Sequence, residues 1–554
     1  MQAIKKNKKI LIFFLKYQKP YLKKGMVISG LLLFNVCLTL PMPLIARYLI
    51  DKVIATKNYS TLNRLCIILF LLIVALQVSR YFSYILLAKY KALVRYDLEK
   101  ELYLHIQKLP ISFFSNKKTG YIMERISEIS SADILMVETI VDITKNIITF
   151  LIGAFLILKF HLKLGLISLS VLPLFVYSMK RFHKILKSIS LRLLEAEANY
   201  KGKLERNINS IERIKTKIKE LFEGERFSES LKRYLVMEIK SEKVSALANI
   251  IASFIGSIAP FIVLWYGISE IMKGKLSVGT FFAINSFLGY LYGPAQSLTN
   301  ISYKISYAIA GLERVYELFN LKEESDGYKD IAEISDIILK NVSFSYNKGH
   351  LVLDNVTLKI KKGEKVAIVG KSGEGKSTFF KLLLKLYLPQ EGEIFISGFN
   401  IKEIRNNSLR SKIHYVSQES ILLEDDIKDK IISKKITKTL KKFNLDIDID
   451  RIYQKKLSSG ELQRIDLAEV LQNVRDVLLL DEATSNLDYE SERYILKNIM
   501  EKYKKKTVIF IAHRLTSIID FERIIVFNKG KIIEEGTHKE LIKKGDFIFH
   551  YGRM

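Results

Sequence analysis

The stretch Gly370-Lys-Ser-Gly-Glu-Gly-Lys-Ser377 decides the fold of the second half of the chain. It follows the apolar run 365–369 and fits the phosphate-binding pattern GxxxxGK[ST]. Glycines let successive backbone N–H groups turn towards phosphate oxygens, and a helix after the loop adds a partial positive charge. An apolar run at 378–386 predicts that helix. A glycine-rich turn without a ligand is the alternative, but the strand before the loop and the helix after it favour a nucleotide site.

The side chains of this loop match the chemistry of a nucleoside triphosphate. Lys376 is long enough to reach the outer phosphates, and the Ser377 hydroxyl is placed to hold Mg²⁺. We therefore expect ATP and Mg²⁺ as cofactors. The predicted ATP-binding residues of the loop and the first helical turn are Gly370, Lys371, Ser372, Gly373, Glu374, Gly375, Lys376, Ser377 and Thr378.

Composition divides the chain of 554 residues into two parts. Apolar residues make up 49% and charged residues 26%, and the long apolar blocks are confined to the first 320 residues. The net charge of +29 suits nucleic acid or an anionic membrane surface, but lysine is spread over the whole chain instead of forming one basic arm. Cys37 and Cys66 are the only cysteines, which excludes a disulfide framework and a cysteine-based metal site.

Six apolar blocks are long enough to cross a bilayer, for which about 20 residues are needed. Glu138, Asp142 and Lys145 interrupt the third block, so we expect its first half to leave the membrane. The first block lacks a small-residue cleavage site and is not a signal peptide. About 24 residues precede it, too few for a peptidase domain. The predicted spans are 25–50, 62–88, 134–159, 163–181, 246–270 and 278–301.

Lysine and arginine set the predicted orientation. Positive charges are dense before the first span and in the two long connections 89–132 and 182–245, whereas the opposite connections are short and carry few. The N-terminus, the long connections and the ATP-binding half are therefore predicted to be cytoplasmic. A multi-pass integral membrane protein follows, with the lipid bilayer as a partner, and a soluble nucleic-acid ATPase is excluded.

The two long connections show the apolar spacing of helices. We interpret them as spanning helices that extend into the cytoplasm and meet at bends near 113–122 and 209–217, where the ATP-binding domain would make contact. Solvated helical loops without a partner are the alternative.

Polar or aromatic residues at membrane depth are candidates for substrate contact, although interfacial anchoring is the stronger explanation here. These residues are Arg47, Arg80, Trp265, Tyr290 and Tyr292.

An α/β pattern begins near residue 335, with strands predicted at 337–346 and 352–360. The run Val477-Leu-Leu-Leu-Asp481 reads as a buried strand that delivers an acid to its carboxyl end, where a P-loop fold holds Mg²⁺. Glu482 follows and is the natural general base for an attacking water. An acidic surface turn is the alternative, which the phosphate loop upstream disfavours.

These features resemble the ATP-binding cassette (ABC) transporters, and in particular exporters that fuse six spans and one ATP-binding domain into a half-transporter. Leu457-Ser-Ser-Gly-Glu461 is similar to the family signature, and Phe113-Phe114 with Gly120 resembles the first coupling segment. Further similar positions are Gln418 for the Q-loop, Ser485-Asn-Leu-Asp488 for the D-loop, His513 for the switch histidine, Tyr346 for the adenine-stacking aromatic, and Gly311-Leu-Glu-Arg314 for the end of the sixth span.

The resemblance implies roles for residues at the ATP site. Glu482, His513 and Gln418 would be catalytic, and Ser377, Gln418 and Asp481 would bind Mg²⁺. The signature residues would contact ATP held by a second subunit. Ser459 replaces a glycine and Glu461 a glutamine of the usual signature, and the Ser459 side chain, where the backbone must come close, would slow hydrolysis. The segment between Gln418 and Leu457 is shorter than in the family, which leaves the surface facing the second bend undetermined. The signature residues are Ser458, Ser459, Gly460 and Glu461.

The resemblance also implies a dimer of half-transporters. A homodimer is favoured because this chain keeps its own ATP-site residues, while a heterodimer stays open. The predicted domains are a transmembrane domain at 1–320, a linker at 321–334 and a nucleotide-binding domain at 335–554.

The predicted function is an ATP-driven exporter of an amphipathic substrate such as a peptide, lipid or drug-like molecule, in a bacterial plasma membrane. A membrane-anchored ATPase that regulates a partner is the alternative. An importer is disfavoured, because importers of this family usually keep the two domains on separate chains.

Overall fold

The chain forms two compact units, each with its own hydrophobic core. One comprises residues 1–107 and 119–321, and the other comprises residues 108–118 and 322–554. The structure is a computed structural model and describes residues 2–117, 119–347, 349–417, 439–440, 459–484, 489–512 and 514–544.

The first unit contains helices and no strand in its described residues. Three segments of tighter or wider helix, Lys19–Tyr21, Glu128–Leu135 and Leu49–Val53, join some of them. The α-helices up to residue 319 are α1 (Gln2–Gln18), α2 (Leu22–Thr39), α3 (Pro41–Tyr48), α4 (Ile54–Thr56), α5 (Tyr59–Gln107), α6 (Ile111–Asn116, in the second unit), α7 (Thr119–Ser127), α8 (Val137–Phe160), α9 (Leu162–Ser170), α10 (Leu172–Asn209), α11 (Ile211–Thr216), α12 (Glu220–Met272) and α13 (Val278–Phe319).

Five helical segments among the described residues are long and apolar enough to cross a membrane. The helix α13, of 42 residues, follows them and covers the sixth predicted span. The predicted helical membrane domain is therefore confirmed as the architecture of this half. The five segments are Lys9–Thr56, Tyr59–Gln107, Gly120–Phe160, Leu162–Asn209 and Glu220–Met272.

Large apolar side chains of α13 form the centre of the helical unit. Ile284, Phe287 and Leu291 recur at helical spacing on one face and are fully buried. They pack with Ile157 of α8 and Val263 of α12 in one cluster. Helix–helix packing over the apolar face therefore fixes how α8, α12 and α13 sit together.

The turn that precedes α13 is held by a carboxylate from the chain segment after α3. Ser277 caps the helix by accepting a hydrogen bond from the Thr280 N–H at 3.1 Å, and its hydroxyl donates to Asp51 at 2.6 Å. Asp51 also accepts from the Gly279 N–H at 2.7 Å. A Cβ at Gly279 would lie 2.6 Å from the Arg47 carbonyl oxygen, so this approach requires glycine.

The described residues of the second unit form two sheets. An antiparallel sheet has the order β2-β1-β4-β5, and a larger sheet has the order β10-β9-β3-β8-β7-β6. The strands are β1 (Asp336–Phe344), β2 (Leu353–Lys361), β3 (Lys365–Val369), β4 (Glu391–Ile396), β5 (Phe399–Asn400), β6 (Ile413–Val416), β7 (Val477–Asp481), β8 (Thr507–Ile511), β9 (Arg523–Asn528) and β10 (Lys531–Gly536).

In the larger sheet β3, β6, β7, β8 and β9 are parallel, and only β10 at the edge is antiparallel. The strands β3, β7 and β8 are buried over their whole length, as continuous apolar runs in a parallel sheet require. Helices accompany the sheets, which makes this unit α/β as predicted. They are α14 (Lys376–Leu383), α15 (Asn406–Arg410), α16 (Ser459–Val470), α17 (Tyr489–Lys502) and α18 (His538–Lys544), with short 3₁₀ turns at Ile401–Glu403 and Leu515–Ile518.

The segment that carries α6 belongs to this second unit although it lies between two helices of the first. The Lys108 carbonyl accepts a hydrogen bond from the Glu324 N–H at 2.8 Å. Ser115 of α6 and Tyr387 share a hydrogen bond of 3.2 Å between their hydroxyls. Residues Lys108 and Ser115 are thus hydrogen-bonded to other residues of their own unit, while the contact of the predicted bend with the ATP-binding domain stays a prediction.

His414 on β6 predicts a pH dependence of stability. Burial, assisted by the charge of Arg475, lowers the pKa of His414 from 6.5 to about 4. Between these values the unfolded chain binds more protons than the folded chain, so stability is lost as pH falls from about 6.5 towards 4. We expect the apparent melting temperature of the His414→Phe protein to fall less than that of the wild type between pH 7.5 and 5, by about 2–4 °C.

Scanning fluorimetry on the full-length protein in detergent measures this difference. The matched control is His350→Phe, which removes an exposed histidine and should leave the pH dependence unchanged. Equal pH dependence in the wild type and the His414→Phe protein would contradict the assignment.

Candidate nucleotide site

The phosphate loop connects the buried strand β3 to α14, at the carboxyl edge of the parallel sheet. Gly373 and Gly375 have φ values of +87° and +92°, in the left-handed region that glycine tolerates. A Cβ at Gly375 would lie 2.5 Å from the Val352 carbonyl oxygen. Gly375 of the predicted pattern and Gly373 inside it thus take backbone angles that favour glycine, and Gly375 also lets the loop pass close to Val352, the residue before β2.

Lys376 lies inside this loop. Its Nζ donates to the carbonyl oxygens of Gly370 at 2.7 Å and Lys371 at 2.8 Å, and the side chain is buried. Burial lowers the pKa of Lys376 below its ordinary value, while the carboxylates of Asp481 and Glu482, among others, oppose this shift. The ammonium group is therefore held at the loop centre, where an incoming anion would compensate its desolvation.

Asp481 ends β7 beside the first turn of α14. One carboxylate oxygen accepts from the Ser377 hydroxyl at 3.1 Å, and the other accepts from the Tyr415 hydroxyl at 3.2 Å. Burial raises the pKa of Asp481, and these two hydrogen bonds together with the charge of Lys376 oppose the rise. A buried carboxylate next to a hydroxyl is the oxygen donor set that Mg²⁺ prefers, so the residues present fit this ion.

Glu482 occupies a special backbone position directly after β7. Its φ is +52°, a value rarely adopted by residues with a side chain. The conformation is held at both ends of the residue, because its N–H donates to the Ile511 carbonyl at 3.3 Å and its carbonyl accepts from the Gln463 amide at 3.1 Å. Strain of this kind often accompanies a functional position, and the role of Glu482 as general base stays a prediction.

Tyr346 lies beyond the end of β1 and is 43% exposed. Its hydroxyl shares a hydrogen bond of 3.0 Å with the Thr378 hydroxyl of α14. Phe344 and Tyr387 meet this ring edge-on, at centroid distances of 5.1 and 5.2 Å. These contacts orient the ring next to the phosphate loop and leave part of it accessible, an arrangement suited to the predicted adenine stacking.

The other predicted site residues fall into two groups. Lys371 and Ser372 are exposed on the loop, and Glu374 contacts the Lys529 N–H through its carboxylate. The described part of the signature segment begins at Ser459, which is also the first residue of α16. Glu461 is buried in the first turn of this helix. Four predicted residues lie outside the described residues, and their roles stay predictions: Gln418, Ser458, Asp488 and His513.

Two residues that support the site were not assigned a role from the sequence. Tyr415 holds Asp481 because β6 pairs in parallel with β7, a neighbour relation that chain order does not show. Gln463 reaches the Glu482 carbonyl from α16. A tyrosine within a short run just before the predicted Q-loop was the available signal for Tyr415. No sequence pattern indicated Gln463.

The candidate substrate residues in the helices differ in their surroundings. The Tyr290 hydroxyl donates to the Thr39 carbonyl at 3.1 Å, and the Tyr292 hydroxyl donates to the Ser168 carbonyl at 2.7 Å. Arg47 lies 4.4 Å from the centre of the Phe160 ring. These three side chains have structural contacts, whereas Trp265 and Arg80 are exposed within the unit.

A nucleotide-binding fold with a buried lysine and a strand-end acid, in one chain with long apolar helices, defines the class of membrane-bound P-loop ATPases. Comparison with known families makes this specific. Residues 26–295 match the family model of the ABC transporter transmembrane region, and residues 353–485 match the family model described as ABC transporter. The chain belongs to the ABC transporter family, as an exporter half-transporter that fuses both regions.

Relatives extend over nearly the whole chain. The ATP-dependent lipid A-core flippase of Syntrophus aciditrophicus is 30% identical over 98% of this chain and 94% of its own length. The transport/processing ATP-binding protein ComA of Streptococcus pneumoniae is 29% identical over 91% of this chain and 73% of its own. A bacterial Atm1-family ABC exporter solved with ATP bound has the same fold, with a TM-score of 0.81 at 22% identity over 96% of this chain and 97% of its own.

The predicted activity class follows from these matches. The protein is an integral, multi-pass membrane protein that binds ATP and couples its hydrolysis to export. The fold class, the exporter class and the ATPase activity predicted from the sequence are confirmed.

Tyr415 provides a test of the geometry around Asp481. Tyr415→Phe removes a hydrogen bond to a buried carboxylate, which contributes about 1.5–3 kcal/mol when the acceptor is charged. We expect the concentration of Mg²⁺ that half-saturates ATP hydrolysis to rise about tenfold.

A Mg²⁺ titration of ATPase activity at fixed ATP gives this value. Tyr494→Phe, at an exposed tyrosine of α17, is the matched control. An unchanged Mg²⁺ requirement in the Tyr415→Phe protein would show that the hydroxyl does not position Asp481.

Proposed function

We propose that the protein exports an amphipathic substrate, of the peptide, lipid or drug-like class, from the cytoplasmic side of a bacterial plasma membrane. The observation that carries this proposal is the fusion of long apolar helices to a P-loop fold, with Ser377 bonded to Asp481, in one chain. The relatives support it, because a lipid A-core flippase and a transport/processing protein both match over most of this chain. A lipid has an apolar part and a polar part, as the proposed substrate does.

In this proposal, charged and polar groups at fixed positions hold ATP and Mg²⁺ for hydrolysis. Lys376 and the loop N–H groups would hold the phosphates, and Ser377 and Asp481, with Gln418, would hold Mg²⁺, which supplies charge neutralisation at the transferred phosphate. Glu482 would accept a proton from the attacking water. Tyr346 would stack on adenine.

Other predicted residues complete the proposal. His513 would orient the γ-phosphate and the water, and Asp488 lies in the predicted D-loop.

The working assembly in this proposal is a homodimer. The signature residues at 458–461 of one chain would cover the ATP held by the other, and this chain retains the lysine and acids of its own site. The nucleotide-binding domain, from residue 335 after a linker at 321–334, would be cytoplasmic. Mass photometry in detergent should give a particle of twice the 64.0 kDa chain mass; a single-chain particle that still hydrolyses ATP would contradict the dimer.

Substitution of Glu482 tests the proposed catalytic mechanism most directly. Glu482→Gln keeps the size of the side chain and removes the base, so we expect ATP hydrolysis to fall by about 10²–10⁴-fold while ATP binding is retained. The matched control is Glu490→Gln, at an exposed glutamate of α17. Hydrolysis in lipid vesicles and binding of a fluorescent ATP analogue are measured on the same preparations. Wild-type hydrolysis in the Glu482→Gln protein would remove Glu482 from the mechanism.

Transport is tested separately, in vesicles whose ATP sites face outward. Three probes cover the substrate classes: an apolar peptide, a fluorescent short-chain phospholipid and a cationic amphipathic dye. We expect at least one to stimulate hydrolysis and to accumulate inside the vesicles with ATP, but not with the Glu482→Gln protein. Hydrolysis without movement of any probe would contradict the proposed substrate class.

A further inference from the structure

A groove of about 620 Å³ lies between α2 and α5 of the helical unit, within the size range of small-ligand sites. We propose that this α2–α5 groove binds one resident anionic phospholipid, whose headgroup is held by Lys23, Lys24 and Lys89. This inference concerns a bound lipid and not the exported substrate, and it does not rest on the proposed function.

The three lysines converge from two helices. Lys23 and Lys24 lie in the first turn of α2, and Lys89 lies on α5; all three side chains are exposed and line the same groove. Among the residues that the structure describes, none of the three forms an ion pair, and no carboxylate lines the groove. A concave site with three positive charges and no negative one is complementary to an anion with several oxygen atoms.

Neighbouring carboxylates already have other partners. Asp97 accepts a hydrogen bond from the Tyr21 hydroxyl at 2.8 Å, and Glu101 accepts from Lys16 at 3.0 Å. Lys24 itself lies 5.5 Å from the centre of the Tyr21 ring. The protein therefore does not neutralise the groove with its own acids, and a negative charge has to come from outside.

The rest of the groove is apolar. Val27 of α2 and Leu86, Ala92 and Leu93 of α5 form its walls, and Val27 is 57% exposed. Tyr90 contributes its ring, because its hydroxyl donates to the Gln18 side chain at 3.0 Å inside the protein. An ion such as free phosphate gains nothing from these walls, whereas a phospholipid has glycerol and acyl groups to place there.

The groove has a fixed shape because the faces behind it are packed. Gly25 and Ile28 of α2 are buried, and on α5 Leu87, Tyr90 and Val94 recur at helical spacing and are buried too. The helices α2 and α5 pack against each other along these faces. The concavity is thus a product of helix packing and not of one side-chain rotamer.

The three lysines lie next to the ends of predicted spans, where lipid headgroups are found. Lys23 and Lys24 come directly before the first predicted span, at 25–50, and Lys89 comes directly after the second, at 62–88. Both positions are at the cytoplasmic boundary by the distribution of positive charge. Basic pockets between membrane helices on this side bind the headgroups of anionic lipids.

The experiment is native mass spectrometry of the full-length protein, delipidated in detergent and titrated with dioleoylphosphatidylglycerol or dioleoylphosphatidylcholine without ATP. We expect the wild type to retain the anionic lipid at concentrations about tenfold lower than the zwitterionic lipid. The variant Lys23→Gln, Lys24→Gln, Lys89→Gln should lose this preference.

Two further variants separate the groove from general surface charge. Lys232→Gln, Lys240→Gln, Lys243→Gln removes the same charge from exposed positions of α12 and should bind like the wild type. Ala92→Trp fills the apolar wall without changing charge and should weaken retention as well. Unfolding temperatures and basal ATP hydrolysis identify any variant that fails to fold.

Three results would overturn the proposal. They are equal binding of both lipids, equal losses in the groove variant and the α12 variant, and full retention by Ala92→Trp. Displacement of the lipid by inorganic phosphate alone would show an ion site without a role for the apolar walls. Because lipid retention is measured without ATP and without transport, failure of the proposed substrate class would leave this test unaffected.

Discussion

The burial of the Lys376 ammonium group inside its own loop is the constraint on which the ATP-binding unit depends. A charge removed from water has to be surrounded by oxygen atoms, and here the carbonyls of Gly370 and Lys371 provide them. Between those carbonyls and Lys376 the loop passes through the positive φ values of Gly373 and Gly375. The strand β3 ends just before the loop and the helix α14 begins at Lys376, so these two elements fix the ends of the loop. The position of the buried lysine therefore depends on both elements and on the glycines between them.

Two acidic residues at the end of β7 are positioned next to this loop by the order of the strands. Asp481 is brought to the loop because β7 and β3 both flank β8 and run in the same direction, which places their carboxyl ends at one edge of the sheet. The Asp481 carboxylate is oriented by hydrogen bonds from Ser377 and Tyr415. The residue after it, Glu482, has a backbone conformation in the left-handed region. Positive and negative groups at this edge are therefore preorganised, which is how P-loop proteins stabilise a transferred phosphate.

In the helical unit, lysine serves a different purpose. Positive charge at the ends of spans sets orientation without requiring any particular partner. The α2–α5 groove differs from this general distribution, because Lys23, Lys24 and Lys89 share one concavity whose walls are apolar. The same lysines would then set the orientation of the protein in the membrane and bind a lipid headgroup. The packing of α2 against α5 determines which lysines share the groove.

The sequence by itself determined the class of the protein, because its signals are local. Twenty-residue apolar runs, lysine asymmetry and the motif at 370–377 each follow from the solvation and backbone geometry of consecutive residues. Only the tertiary structure decided that Tyr415 holds Asp481, that Gln463 holds the Glu482 carbonyl, and that lysines 65 or more positions apart share a groove. Those contacts depend on strand order and helix packing, which bring together residues that no spacing along the chain relates.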